Sequence, residues 1–204
     1  MTFDSRRPGH WESLERDPSQ RVRYSHILSV IAERFPNGAQ ILDVGCGSGE
    51  LAGFVRKNDE YLGVEPNSRA IAAAEKLHSA QSVSFCQETA EDFVPPKRFD
   101  VIVFTEVLYY AKDPIDVLRR YIHFLTNRGF MIVTIYLRPD DERLQQRLKR
   151  WALRFLTPHV PRSNRHCTSL VDGYAFRAEG VASHVTDIGV QTVYRVWTLS
   201  KQEH

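Results

Sequence analysis

Cysteine is scarce in this sequence. The 204 residues contain three cysteines, Cys46, Cys86 and Cys167. They are odd in number, lie far apart and include no C-x-x-C pair, so they favour neither a disulfide framework nor a zinc site. We therefore expect a reducing, cytoplasmic environment and no metal.

Long apolar runs and an excess of one charge are also missing. No stretch approaches the roughly 18 apolar residues of a membrane span, and the first residues lack the apolar segment of a secretory signal. Twenty-seven Lys and Arg oppose 25 Asp and Glu, a formal net charge of +2, which is too small to mark a nucleic-acid binder. We expect a soluble protein that binds neither membranes nor nucleic acid.

Length and composition predict one globular domain. The 204 residues are 42% hydrophobic and 25% charged, as in ordinary globular proteins, and a domain typically has about 150 residues. No repeat, low-complexity tract or linker interrupts the chain. We expect a single domain over 1–204, with a helical cap at 1–38, a core at 39–136, an insertion at 137–180 and a closing hairpin at 181–200.

Short apolar runs alternate with helical patterns, which indicates βαβ units and a parallel sheet. The first helix starts at Asp17-Pro18, with Asp17 as its N-cap, and ends near Phe35. Further helices are predicted near 50–56, 68–77, 114–125, 140–156 and 169–178, and strands at 40–44, 61–64, 83–87, 100–105, 130–135, 181–187 and 192–199. The last two strands are predicted to form an antiparallel pair across Gly189 that closes the sheet.

The most informative segment follows the first strand and places Gly45, Gly47 and Gly49 at alternate positions. Glycine lets the backbone turn sharply and approach a ligand closely. A dinucleotide site requires G-x-G-x-x-G, but its third glycine is here Glu50, a carboxylate poorly suited to a phosphate. Asp43, just before the loop, suits a cationic ligand such as S-adenosylmethionine, although a dehydrogenase remains an alternative.

Acidic and polar residues follow the next strands. Glu65-Pro66 ends the second strand, where a carboxylate can accept both ribose hydroxyls, and Thr89-Ala90 follows the third, where an adenine would lie. The fourth strand runs into Glu106, Tyr109 and Tyr110.

In order and spacing, these motifs resemble those of class I S-adenosylmethionine-dependent methyltransferases. The residues that carry the resemblance are Asp43-x-Gly45-x-Gly47-x-Gly49, Glu65, Ala90-Glu91-Asp92 and Phe99-Asp100 with Glu106-Val107-Leu108. The resemblance implies a Rossmann-like α/β fold with seven strands, the last antiparallel, and helices on both faces. It also implies S-adenosylmethionine as cofactor, converted to S-adenosylhomocysteine. The cofactor-binding residues expected from it are Asp43, Gly45, Cys46, Gly47, Gly49, Glu65, Pro66, Thr89, Ala90 and Glu106.

Within that family, the sequence looks like the small N-methyltransferases of the nodulation-protein-S type. An N-terminal Trp, a Pro-started helix with Arg23, and Glu106 followed by Tyr109-Tyr110 carry this likeness. It implies an N-terminal helical lid that brings Trp11 and Arg23 to the cofactor. Otherwise, Trp11 covers the sheet edge and Arg23 is a solvated helix residue.

The methyl acceptor is expected at the carboxyl end of the fourth strand, because ligands of open α/β sheets bind there. Tyr109, Tyr110, Tyr136 and Arg138 are its expected contacts, and Tyr109, Tyr110 or His26 could assist catalysis. No Asn/Asp-Pro-Pro-Tyr segment follows the fourth strand, which disfavours nucleobase or glutamine methylation.

Basic residues outnumber acidic ones eight to three over 138–165. Such a helix face is either simply solvated or guides an anionic or carrier-bound acceptor.

We therefore expect an enzyme that transfers a methyl group from S-adenosylmethionine to an N or O atom of a small molecule. The alternative is an enzyme of the same fold and cofactor that transfers no methyl group, such as one that cyclises the cofactor and releases methylthioadenosine.

Overall fold

The computed structural model describes residues 18–137, 164–177, 181–188 and 193–201 of the chain. Its helices are α1 (Pro18–Arg34), α2 (Ser68–Leu77), α3 (Pro114–Tyr121) and α4 (Asn164–Arg177), with 3-10 helices at Leu51–Phe54, Leu108–Tyr110 and Ile122–Phe124. Its strands are β1 (Gln40–Val44), β2 (Glu60–Val64), β3 (Val83–Cys86), β4 (Phe99–Thr105), β5 (Leu125–Leu137), β6 (Val181–Ile188) and β7 (Val193–Lys201).

The seven strands form one sheet in the order β3-β2-β1-β4-β5-β7-β6. β1 to β5 are parallel, and β7 is antiparallel to both β5 and β6. The chain leaves β1 toward β2 on one side and reaches β4 on the other, so the ligand crevice of such a sheet lies at the carboxyl ends of β1 and β4. The predicted fold class, with its antiparallel last strand, is confirmed.

Helices cover both faces of the sheet because its central strands are apolar on both sides. On one face, Ile27 and Ile31 of α1 pack with Val101 and Ile132. On the other face, residues of α3 and α4 pack against the alternate strand residues, among them Leu118 of α3 and Val171 of α4.

Local sequence signals set the starts of two helices. The side chain of Asn67 accepts hydrogen bonds from the Arg69 and Ala70 N–H groups at the start of α2. Asp113 does the same for Ile115 and Asp116 at the start of α3. Short polar N-caps of this kind satisfy amides that have no partner within the helix.

Two predicted boundaries around α3 were wrong. The helix predicted at 114–125 ends at Tyr121, and the strand predicted at 130–135 extends over Leu125–Leu137. The polar stretch 126–129 resembles a turn in sequence, but it forms an irregularity of β5 at which the Asp100 carboxylate accepts from Thr126 Oγ1 at 2.9 Å. Similarly, the helix predicted near 50–56 is a 3-10 helix at Leu51–Phe54.

The helix predicted at 169–178 begins earlier, at Asn164. Cys167 and Val171, one helical turn apart, are both fully buried, so Cys167 belongs to the apolar face of α4. The predicted helix at 140–156, the Asp17 cap and the Gly189 turn lie outside the described residues.

Asp172 connects α4 to the antiparallel edge of the sheet. Its carboxylate accepts a hydrogen bond from the Trp197 indole N–H at 2.9 Å and one from Arg195 at 3.3 Å. Trp197 is fully buried, so its N–H depends on this acceptor. Arg195 also pairs with the exposed Asp187 at 2.8 Å.

Replacing Asp172 by Ala should lower the free energy of unfolding by about 1–3 kcal/mol, because it leaves a buried indole N–H without an acceptor. Urea unfolding measures the change. Asp172→Asn, which keeps an acceptor oxygen, should lose much less, and Asp187→Ala should lose under about 1 kcal/mol, as is usual for an exposed ion pair. Equal losses in the Asp172→Ala and Asp187→Ala variants would contradict this account.

Candidate functional site

The loop after β1, residues 45–49, is called here the glycine loop. Gly45, Gly47 and Gly49 have φ values of +78°, +57° and +81°, all in the left-handed region that glycine tolerates best. The Gly45 and Cys46 N–H groups donate to the Val64 carbonyl at 2.7 and 3.1 Å. The loop is therefore held at the carboxyl ends of β1 and β2.

The glycine loop is also closely packed. A Cβ on Gly45 would lie 2.4 Å from Val107 Cγ2, and one on Gly49 would lie 3.0 Å from Phe85 and His78 ring atoms. The loop thus abuts the turn after β4 on one side and β3 on the other.

The Cys46 side chain is packed inside the protein, next to β2. It is buried, and a Cβ on Gly63 would lie 2.7 Å from its sulfur. Burial raises the pKa of the Cys46 thiol well above its ordinary value, so the thiol stays neutral. Only the backbone of Cys46 is available to a cofactor.

Asp43 is buried at the end of β1 with one oxygen free. Its Oδ2 accepts a hydrogen bond from Tyr61 Oη at 2.7 Å, whereas the buried Oδ1 has no donor among the described residues. Burial raises the pKa of Asp43 to about 7, and the Tyr61 hydrogen bond opposes that rise. An unsatisfied buried oxygen costs about 1–3 kcal/mol, so a ligand that donates a hydrogen bond would be favoured here.

Glu65, at the end of β2, is hydrogen-bonded to the glycine loop. Its Oε1 accepts from the Asn67 N–H at 3.0 Å and its Oε2 from the Gly47 N–H at 3.4 Å. Burial raises its pKa, and these two amides lower it. Pro66 beside it is exposed, and its carbonyl accepts from Gln87.

The 89–93 segment after β3 is held by its own side chains and by α3. Thr89 Oγ1 donates to Asp92 Oδ2 at 2.7 Å and accepts from the Asp92 N–H at 3.0 Å. The Ala90 carbonyl accepts from Arg120 at 2.5 Å and from the Tyr121 hydroxyl at 3.0 Å. The Thr89 hydroxyl is therefore hydrogen-bonded within the segment, once as a donor and once as an acceptor.

Glu106 follows β4 in an unusual backbone conformation. It is the one non-glycine residue with positive φ among those described, at +57°, a conformation that costs about 1–2 kcal/mol. Burial raises the pKa of Glu106 to about 7, although Arg23, the Tyr136 N–H and the Tyr109 and Thr134 hydroxyls lower it. Strain and a buried carboxylate at a sheet edge are typical of functional sites.

Arg23 extends from α1 to this carboxylate. Its side chain is 4% exposed, with Nη1 3.9 Å from Glu106 Oε1. Its guanidinium lies 4.8 Å and 4.9 Å from the ring centroids of Tyr24 and Tyr194, and its Nη2 donates to Tyr24 Oη at 3.0 Å. Nε and Nη1 have no hydrogen-bond acceptor within the described part of the chain. The reading of Arg23 as a solvated residue is wrong.

Aromatic side chains line the same edge. The Tyr109 and Tyr110 rings lie 4.5 Å apart, and the Tyr136 ring lies 5.7 Å from that of Tyr194. Tyr109 Oη donates to Glu106 Oε2 at 3.4 Å. Burial raises the pKa of Tyr109, so its hydroxyl stays protonated and acts as a donor rather than as a base.

Other predicted residues lie elsewhere. His26 is half-buried, and its pKa is lowered by burial and by His184 of the outer strand β6. That placement gives no support to His26 as a base at the glycine loop. Trp11 and Arg138 lie outside the described residues.

Three tyrosines of the site were not predicted from sequence. Tyr61 holds Asp43, Tyr24 holds Arg23, and Tyr194 reaches the carboxyl edge because β7 runs antiparallel to β5, with Tyr194 opposite Tyr136. The antiparallel pairing of β7, which was predicted, was the one signal that could have pointed to Tyr194.

Over the described ranges, no group of three His, Cys, Asp or Glu side chains is arranged to hold a metal ion. None of the helices described has the length and apolar character needed to cross a bilayer.

Comparison with curated proteins finds methyltransferases. Ubiquinone biosynthesis O-methyltransferases of Rhodopseudomonas palustris strain BisB5 and Bradyrhizobium sp. strain ORS 278 are 34% and 35% identical to the chain over 101 and 102 residues. These matches cover 48% of this chain and 40% of each relative, so the chain spans well under two thirds of their length.

Solved structures share the fold over nearly the whole chain. N-methyltransferase NodS from Bradyrhizobium japonicum WM9, solved with S-adenosylhomocysteine, has a TM-score of 0.68 at 18% identity and covers 94% of this chain and 91% of its own. Plantazolicin methyltransferase BpumL, solved with S-adenosylhomocysteine and a pentazolic substrate analogue, has a TM-score of 0.67 at 14% identity, with 95% and 89% coverage. The predicted likeness to the nodulation-protein-S type is confirmed at the level of the fold.

A family model described as a methyltransferase domain matches residues 16–178, which include the glycine loop, Glu65 and Glu106. The family match, the geometry of the glycine loop and the order of the strands all agree. The chain belongs to the class I S-adenosylmethionine-dependent methyltransferase family.

Proposed function

We propose that this chain binds S-adenosylmethionine at the glycine loop and transfers its methyl group to an N or O atom of a small-molecule acceptor. The observation that carries the proposal is the buried Asp43 Oδ1, which has no donor among the described residues and lies beside three left-handed glycines. A cationic ligand that donates hydrogen bonds and approaches the backbone closely fits this arrangement. The cofactor's α-ammonium has both the charge and the donors.

The residues present fit the parts of the cofactor. Asp43 would hold the α-ammonium, and Glu65, already oriented by two backbone amides, would accept the ribose hydroxyls. The backbone of the 89–93 segment would lie against the adenine. When bound, the cofactor supplies an electrophilic methyl group on a sulfonium.

The acceptor is proposed to lie at the carboxyl ends of β4 and β5. Tyr109, Tyr110 and Tyr136 would contact it there, with Arg138 as a further proposed contact, whereas Trp11 is proposed to contact the cofactor. In-line transfer depends chiefly on a close, aligned nucleophile, which is worth up to about 7–11 kcal/mol. These aromatic groups would position the acceptor and exclude water.

The relatives support both acceptor atoms. The curated relatives are O-methyltransferases by name, and NodS is an N-methyltransferase. An anionic or carrier-bound acceptor stays part of the proposal because of the basic 138–165 stretch. A cytoplasmic location is also proposed, because Cys46, Cys86 and Cys167 are all thiols rather than disulfide-bonded.

Replacing Asp43 or Glu65 by Ala should weaken S-adenosylhomocysteine binding at least about tenfold each, since each change removes a charge-assisted hydrogen bond. Isothermal titration calorimetry at pH 8, with NADH as the parallel ligand, measures this. The exposed Glu60→Ala variant should bind like the wild type. Unchanged binding in both site variants would contradict the assignment, and binding of NADH instead would favour a dehydrogenase.

Cofactor affinity should fall as pH is lowered through about 7. The α-ammonium pairs with ionised Asp43, whose pKa is about 7 in the free protein, so below that pH binding must displace a proton. Affinity should therefore drop by up to about tenfold per pH unit below 7 and level off above it. Calorimetry with S-adenosylhomocysteine at several pH values between about 5.5 and 8.5 measures this change in affinity.

Tyr61→Phe should move the midpoint of the pH-dependent change in cofactor affinity to higher pH. The substitution removes the hydrogen bond that stabilises ionised Asp43. Tyr174→Phe removes a phenol from α4 and should leave the midpoint in place. An affinity that does not vary with pH would count against Asp43 as the ammonium partner.

Tyr110→Phe should lower turnover about three- to tenfold, the usual worth of one hydrogen bond, with cofactor affinity unchanged. The assay incubates the protein with S-adenosylmethionine and a panel of amines and phenols and identifies the products. S-adenosylhomocysteine marks methyl transfer, whereas methylthioadenosine without a methylated acceptor would favour cyclisation. A loss of affinity with unchanged turnover would place Tyr110 on the cofactor side.

A further inference from the structure

Glu106 lies beside the glycine loop, at the carboxyl end of β4. It directly follows β4, which pairs with β1 up to Val44 and Phe104. The next residue, Val107, packs so closely on the glycine loop that a Cβ on Gly45 would lie 2.4 Å from it. Glu106 therefore flanks the same loop as Asp43, on the β4 side.

The groups that face the Glu106 carboxylate come from three elements, and the side-chain contacts are all long. Arg23 Nη1 of α1 is 3.9 Å away, the Tyr109 hydroxyl after β4 is 3.4 Å away, and Thr134 Oγ1 of β5 is 3.5 Å away. The Tyr136 N–H of β5 also bonds to it. Charge-assisted hydrogen bonds to a carboxylate are normally about 2.7–2.9 Å long. Among the described residues, this carboxylate therefore has no strong side-chain partner, although its side chain is only 20% exposed.

Asp43 has a closer side-chain partner than Glu106, and Glu65 is held by two backbone amides. Asp43 is held by Tyr61 at 2.7 Å, and Glu65 by the Asn67 amide at 3.0 Å. If these two residues bind the ammonium and ribose of the cofactor, as proposed above, no part of the cofactor requires a third carboxylate. Glu106 is left for the acceptor.

We propose that Glu106 is a catalytic residue that takes a proton from the methyl acceptor, and that the acceptor is a primary or secondary alkyl amine. This inference rests on the proposed function. It changes the role expected for Glu106 from cofactor binding to proton acceptance.

The acceptor enters as an ammonium ion, its N–H bond breaks, and the proton passes to the Glu106 carboxylate. The freed nitrogen lone pair forms the new N–C bond, and the electrons of the methyl–sulfur bond go to sulfur, which becomes a neutral thioether. A methylated ammonium leaves, and Glu106 returns its proton to water.

The surroundings of Glu106 suit this task. Burial holds its pKa at about 7, close to the value at which a general base is most effective near neutral pH. Arg23, nearby but beyond hydrogen-bond distance, keeps the carboxylate partly ionised. Tyr109 contacts Glu106 through its hydroxyl, and the Tyr110 ring lies next to that of Tyr109. Aromatic faces attract cations, so these rings would favour an ammonium acceptor nearby.

Sinefungin tests the placement without a known acceptor. It is an analogue of S-adenosylmethionine with an amine where the sulfonium methyl group stands, whereas S-adenosylhomocysteine has nothing there. If Glu106 faces that position, the wild type should bind sinefungin about 10- to 100-fold more tightly than S-adenosylhomocysteine at pH 8, as for one hydrogen bond between charged groups.

Two variants separate the roles of the acids. Glu106→Gln should reduce the ratio of sinefungin affinity to S-adenosylhomocysteine affinity toward one. The affinity for S-adenosylhomocysteine itself should be unchanged. Glu65→Gln should weaken both ligands alike and keep the preference. Glu60→Gln, on the exposed start of β2, should change neither.

The wild type alone gives an independent measurement. Protonation of Glu106 removes the charge that attracts the sinefungin amine, so the preference should fall as pH is lowered through about 7. Protonation of Asp43 should weaken both ligands equally, because both carry the same α-ammonium. It therefore does not change the ratio of the two affinities.

The outcomes are distinguishable. Tight S-adenosylhomocysteine binding without a sinefungin preference, or a preference that survives in Glu106→Gln, would overturn the inference and leave the proposed function standing. Loss of S-adenosylhomocysteine binding in a folded Glu106→Gln variant would return Glu106 to the cofactor and also overturn it. Failure of the wild type to bind either ligand would overturn both.

Discussion

The close approach of the glycine loop to its neighbours is the constraint on which the site depends. Gly45 leaves no room for a Cβ beside Val107, and Gly63 leaves none beside Cys46. These contacts bring the backbone after β1 against the ends of β2 and β4. As a result, carboxylates from three different strands, Asp43, Glu65 and Glu106, surround one loop.

Placing three carboxylates together in a partly buried crevice has an electrostatic cost. This cost differs among the three residues. The pKa values of Asp43, Glu65 and Glu106 are all raised, in each case chiefly by burial. Glu65 is the best compensated by backbone amides, whereas Asp43 keeps an oxygen that no donor in the described part of the chain reaches. A ligand with a positive charge would relieve this cost, so the proposed affinity of the site for a cation would follow from the same burial that raises the pKa values.

Sequence reasoning predicted the parts of the molecule that depend on local patterns. The antiparallel β7 and the bounds of α2 were recovered, because the alternation of short apolar runs with helical patterns is a local signal. The contacts of Tyr61, Tyr24 and Tyr194 were not recovered, because each joins residues from different elements. A buried tyrosine in a strand looks the same in sequence whether its hydroxyl meets a carboxylate or nothing.

Glu106 shows most clearly what could not be predicted from the sequence. Its position after β4 was enough to include it in the site, but its role depends on the left-handed backbone and on the distance from Arg23, which no sequence pattern encodes. Arg23 is held between two tyrosine rings, one from α1 and one from β7, and so the packing of α1 on the sheet sets the charge near Glu106. Any movement of α1 would change that distance, and with it the pKa of Glu106. The helix that covers one face of the sheet is therefore coupled to the carboxylate at its edge through a single buried guanidinium.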